Sequence, residues 1–217
     1  MCFSPTASFT TAGLTAVVGF VSLSRVSEPR EIPLAATPLL FALQQALEGL
    51  LWIDLPLAPG GSFSMGLTLL FLFFGEVFWP IYAPIAALLV EPSKSRRRLI
   101  LLCLAAGVGI GAHFLWWILA HPHGAVILNG HIVYTTEYQF SGPITLAYLA
   151  ATGLPLALSS HRIVVALGAV ILVGSAVAYV SYWEAFVSVW CFFAAAASVL
   201  ILGHFEWSRG RSHIARA

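Results

Sequence analysis

Seven apolar stretches, each about as long as a membrane crossing and nearly free of charge, fill most of the chain between Ser8 and His204. They run near Ser8–Ser24, Pro33–Ile53, Phe63–Val90, Leu99–Ala120, Pro143–Leu158, Ile163–Tyr182 and Ala185–His204. A helix needs roughly 20 apolar residues to cross the hydrocarbon core of a bilayer. In lipid, only a helix satisfies every backbone N–H and C=O within one segment. The pattern predicts an all-α polytopic membrane protein with seven transmembrane helices. Only 9% of the 217 residues are charged, against about 25% in soluble domains. No length remains for a separate soluble unit, so residues 1–217 read as one seven-helix domain.

The basic residues fix an orientation. Arg25 and Arg30 follow the first stretch, Lys94, Arg96, Arg97 and Arg98 the third, Arg162 the fifth, and Arg209, Arg211 and Arg216 the seventh. The connections after the second, fourth and sixth stretches hold no Lys or Arg. All 10 basic residues therefore fall on one side, which the positive-inside rule makes cytoplasmic. The amino terminus is expected outside and the carboxyl terminus inside, in the inner (plasma) membrane. No basic segment precedes the first stretch, so no cleavable signal peptide is expected. A net charge of +1 argues against nucleic acid as a partner.

An ionisable side chain inside a span costs several kcal/mol and is by default a functional hypothesis. Glu48 lies six residues before Asp54 at the outer end of its stretch, about 9 Å deep at the helical rise. His113 lies seven residues before Ala120, about 10 Å deep by the same measure. Glu76 is one or two turns deeper, one turn before Pro80, which should kink the helix and free a carbonyl. Gln44 shares a helix face with Glu48, and Gln45 flanks it. Gly107, Gly109 and Gly111 predict close helix contact just before His113. The segment His121–Gly142 reads as an outer loop. Trp52, Trp116, Trp117, Trp183 and Trp207 read as interfacial, whereas Trp79 and Trp190 are deep enough to line a cavity.

Two carboxylates and an imidazole suit zinc, iron or manganese. The leading expectation is an outward-opening, zinc-type metal site on Glu48, Glu76 and His113, with Glu137 and Glu184 as candidate catalytic bases. Such a site would hydrolyse or hydrate a small or lipid-like substrate. A metal-free alternative uses the two glutamates as proton carriers in a small secondary transporter. A third is a ligand-sensing receptor. A protonated, hydrogen-bonded glutamate can also be purely architectural. The only lysine, Lys94, lies in a connection, which excludes a retinal Schiff base in the last span. No G-x-x-x-x-G-K and no G-x-S-x-G occurs. Cys103 and Cys191 read as small buried apolar residues. Homo-oligomer formation is compatible with the pattern.

An internal echo joins Phe3-Ser4-Pro5 and Thr10–Leu14 to Phe140–Pro143 and Ala150–Leu154, which would give a three-plus-one-plus-three helix arrangement. The opening Met1-Cys2-Phe3-Ser4 with Ala7-Ser8-Phe9, the run Gln44-Gln45-x-x-Glu48-Gly49-x-x-Trp52, and Trp79-Pro80 carry a wider likeness. Together they resemble a family of uncharacterised bacterial seven-helix integral membrane proteins of similar length. The resemblance implies a specific use for the N-terminal Cys-Phe-Ser, Glu48 and Trp52, and brings no known activity. Pro5 departs from it, standing where a small residue is expected. A Cys2 thiolate at the outer face would complete a metal site with Glu48 and His113.

Overall fold

The computed structural model describes residues 4–58, 60–135, 142–181 and 186–214. Its helices follow the apolar stretches closely. α1 (Pro5–Ser24) starts on Ser4, whose Oγ accepts from the Ala7 N–H at 3.2 Å, with Pro5 in the first turn where no N–H is needed. A 3-10 turn (Pro29–Glu31) leads into α2 (Ile32–Leu57). α3 (Ser62–Leu72), a π-helical turn (Phe73–Phe78) and α4 (Trp79–Val90) form one continuous rod. α5 (Lys94–Ala120), α6 (Gly142–Ala157) and α7 (Arg162–Ser181) follow. α8 (Phe186–Ala197) and α9 (Val199–Ile214) are separated only at Ser198.

Among the described residues, six helical spans are long and apolar enough to cross a membrane, and α6 is a shorter apolar helix of 16 residues. The chain is a largely helical protein of membrane type. Leu102 (68% exposed) on α5 and Val180 (83%) on α7 face outward, as lipid-facing residues do. Helix ends overrun the apolar stretches. α5 begins at Lys94, five residues before Leu99, and α9 continues past His204 to Ile214. Backbone hydrogen bonding does not stop where side chains turn polar.

The expectation of a plain loop after α5 is corrected. Gly124–Leu128 (β1) and His131–Thr135 (β2) form an antiparallel hairpin, pairing Leu128 with His131 across Asn129 and Gly130. Both turn residues have positive φ, +51° and +75°, as a two-residue hairpin turn requires. The hairpin packs on α2, α3 and α8. Ile132 is fully buried beneath it, and Tyr134 stacks on Phe71 with ring centroids 4.7 Å apart.

The opposite end carries the basic connections. Arg25 after α1 pairs with Glu206 of α9 at 2.7 Å. Arg96 at the start of α5 donates to the carbonyls of Leu158 and Ser159 after α6, at 2.9 and 2.6 Å. Arg97 donates to Leu88 C=O at 2.8 Å, and the His161 ring lies 4.9 Å from that of His204. These contacts gather Arg25, Arg96, Arg97 and His161 at one end of the bundle.

Candidate functional site

The site begins with a break in helix geometry. Pro80 has no N–H to give to the carbonyl one turn back, and its ring disfavours regular helix there. Upstream, the Trp79 N–H reaches the Phe74 carbonyl, five residues back. The Gly75 carbonyl thereby loses its usual partner, and the buried Tyr148 hydroxyl of α6 donates to it. Single π-helical turns of this kind recur at functional sites. Glu76 sits inside this one, only 4% exposed. Pro80 was expected to kink this helix and free a carbonyl; the structure has a π turn at Phe73–Phe78, just before it.

Across from it, α2 presents a buried polar stripe. Gln44, Gln45 and Glu48 are all fully buried. The indole N–H of Trp79 donates to Gln44 Oε1 at 2.7 Å. Indole nitrogen is a donor only, so this bond fixes the amide and turns Gln44 Nε2 towards Cys191 Sγ, 3.0 Å away. Glu48 Oε1 accepts from the Ser188 hydroxyl of α8, and its Oε2 lies 3.5 Å from Gln45 Nε2. Cys191, one turn along α8 from Ser188, lies within electrostatic reach of both Glu48 and Glu76. Tyr148 lies within reach of Glu76 and Cys191. Hydrogen bonds thus link α2 to α4 and α8 at Gln44 and Glu48, and α6 to the turn that carries Glu76, a carboxylate ring built from four helices.

His113 does not complete a metal set with them. It is half-buried on α5, its ring 6.2 Å from Trp116 and 6.5 Å from Trp117. Among the described residues, no three His, Cys, Asp or Glu side chains gather to hold a metal ion. Among the described residues, Glu48, Glu76 and His113, expected as metal ligands, are not gathered into one three-ligand group. The physical reason is register: His113 falls within an aromatic stretch of α5, whereas the neighbouring Gly107 and Gly111 face the α3–α4 rod. Gly109 faces open space, against the expectation of contact there. Cys2, Glu137 and Glu184 lie outside the described residues.

Beside the site, a small cavity of about 30 Å³ is lined on one side by Phe41, Trp79 and Trp190, as the depth of the two tryptophans suggested. Phe41 and Trp79 are stacked with ring centroids 4.0 Å apart. Trp190 is buried, and its indole N–H has no hydrogen-bond partner among the described residues. Next to Glu48 on α2, Gly49 backs onto the Phe9 ring of α1, where a Cβ would stand 2.8 Å from it. That contact sets Phe9 against the helix segment that carries Glu48.

A family match spans these motifs and the whole site. The chain belongs to the family of unknown function DUF6629, whose model matches residues 1–217. No curated protein matches it, and no solved structure matches it. Membership in DUF6629 covers all the helices that build the carboxylate ring. Sequence reasoning missed Ser188, Tyr148 and the place of Cys191 in this ring. Ser188 and Cys191 stand three residues apart on one face of α8, a spacing that is visible only once Glu48 is known to face that helix. The Asn129-Gly130 pair between two β-branched, apolar runs was a readable hairpin signal.

Proposed function

We propose that this member of DUF6629 is a small proton-coupled secondary transporter of the inner membrane. In this reading its seven helices cross the membrane with the amino terminus outside and the carboxyl terminus in the cytoplasm. Glu48 and Glu76 are the proton-carrying groups, and a small molecule is the cargo. The single observation that carries the reading is the pair of buried carboxylates, 0% and 4% exposed, on α2 and in the π turn. Both acids are buried, and Glu48 accepts from the Ser188 hydroxyl. Ionising a carboxyl buried this deeply is costly, whereas a protonated one hydrogen-bonds its neutral neighbours. Moving a proton on and off is the inexpensive way to change the state of these acids. The π turn at Glu76 supplies backbone that can return to regular helix, which favours a change of shape coupled to proton binding.

A zinc-type hydrolase or hydratase is the second reading. It keeps Glu48 and Glu76 as ligands and draws the rest from Cys2, Glu137 or Glu184. One experiment separates the two. Purified protein is assayed for bound metal by elemental analysis and, in proteoliposomes, for proton movement down an imposed pH gradient. The transporter reading expects substoichiometric metal and a proton flux abolished by Glu76→Gln. Stoichiometric metal that disappears in Glu48→Gln, with no flux, overturns it in favour of the metal enzyme.

A further inference from the structure

The basic end holds a second site, unrelated to the carboxylate ring. A groove of about 620 Å³ opens between the start of α7 and the middle of α9, lined by Ser160, His161, Arg162, Ile163, His204 and Trp207. Pockets of roughly 300–1,000 Å³ accommodate small ligands. We propose that this groove binds a phosphate group, either on an anionic phospholipid head or on a soluble phosphate compound.

The charge balance around the groove supports an anion. Glu91, the nearer acid in sequence contact with this end, is occupied: the Ser160 N–H donates to it at 2.7 Å, and the Ser160 hydroxyl and the Ser93 N–H also donate. Arg96 adds a positive charge beside it. Glu206 on α9 is paired with Arg25 at 2.7 Å. Arg162 is exposed and, among the described residues, has neither an ion pair nor a hydrogen bond, so its charge is uncompensated. A guanidinium presents a planar fork that matches two phosphate oxygens.

The rest of the lining fits the same ligand. The His161 and His204 rings meet edge to face at 4.9 Å and 73°. His161 Nε2 lies 3.0 Å from the Val90 carbonyl; a carbonyl only accepts, so the ring donates there and its position is fixed. Trp207, 62% exposed, and Ile163 give the groove an apolar rim. Basic pockets between membrane helices with such a rim are where phospholipid heads are held.

The test uses the full chain in nanodiscs of zwitterionic lipid. Phosphatidylglycerol is titrated in one arm and inorganic phosphate in another, with binding read by native mass spectrometry and by thermal shift. Binding in either arm should weaken by about tenfold in Arg162→Gln, as expected when one charge-assisted fork is lost. Arg98→Gln, which removes an exposed charge from α5 outside the groove, should leave it unchanged. Response to phosphatidylglycerol alone assigns a lipid head, and response to inorganic phosphate assigns a soluble ligand. Binding in neither arm, or equal loss in Arg98→Gln and Arg162→Gln, overturns the proposal.

Discussion

Gly107 of α5 lies directly against the Pro80 carbonyl of α4: a Cβ on Gly107 would stand 1.8 Å from that oxygen. One turn on, a Cβ at Gly111 would be 3.0 Å from the Val77 carbonyl. The two glycines let α5 press against the rod at the π turn that holds Glu76. Gly107→Ala should therefore lower stability by about 1–3 kcal/mol, the usual range for overpacking. Gly109→Ala, with nothing within 4 Å, should be neutral or slightly stabilising, because alanine is the better helix former. Thermal melting of both variants in one detergent checks this, and equal melting points would show that the contact is not tight.

Ser188→Ala removes the hydroxyl that donates to Glu48. A buried acceptor left without its donor costs about 1–3 kcal/mol, so the variant should melt earlier. Ser188→Thr keeps the hydroxyl and should recover most of the loss. If Glu48 carries protons, Ser188→Ala should also alter proton flux in proteoliposomes, a change that a purely architectural bond would not produce.

How much of this was legible beforehand follows from what each signal encodes. The helices were readable because an apolar run in lipid has no other way to satisfy its backbone. The burial of Glu48 and Glu76 followed from their places inside such runs, and the break before Trp79 followed from the missing N–H of Pro80. Which helix faces which was not readable. Ser188 and Glu48 are 140 residues apart, and hydropathy does not state that α8 lies beside α2. The same holds for His113, whose place on its helix was legible but whose facing was not. The hairpin leaves a weaker trace for another reason: two five-residue strands around Asn129-Gly130 are too short to form an apolar run of span length.

Gly130 in the hairpin turn has φ +75°, a region in which a side chain costs about 1–2 kcal/mol. Gly130→Val should loosen β1 and β2 while leaving the helices intact. Faster amide hydrogen exchange at Ile132, with unchanged helical circular dichroism, is the expected result. Asn129→Gly keeps the turn geometry available and should leave exchange near its original rate.

Glu91 gives the basic end a dependence on pH. It follows the last residue of α4 and ties that helix to the α6–α7 connection. Burial pushes its carboxyl up, but the Ser160 hydroxyl and N–H, the Ser93 N–H and the Arg96 charge together outweigh that and hold it below its ordinary value of 4.5. A carboxyl held lower in the folded chain than in the unfolded one adds stability at pH above the ordinary value. That contribution declines as pH falls through 4.5 and is gone below the folded value. The melting temperature should thus be insensitive to this residue between pH 7 and 5 and should drop on further acidification. Glu91→Gln, which cannot ionise, should melt earlier than the parent at pH 7, and the difference between the two should shrink in acid. A difference that stays constant down to pH 3 would show that the carboxylate charge plays no part in holding α4 to the α6–α7 connection.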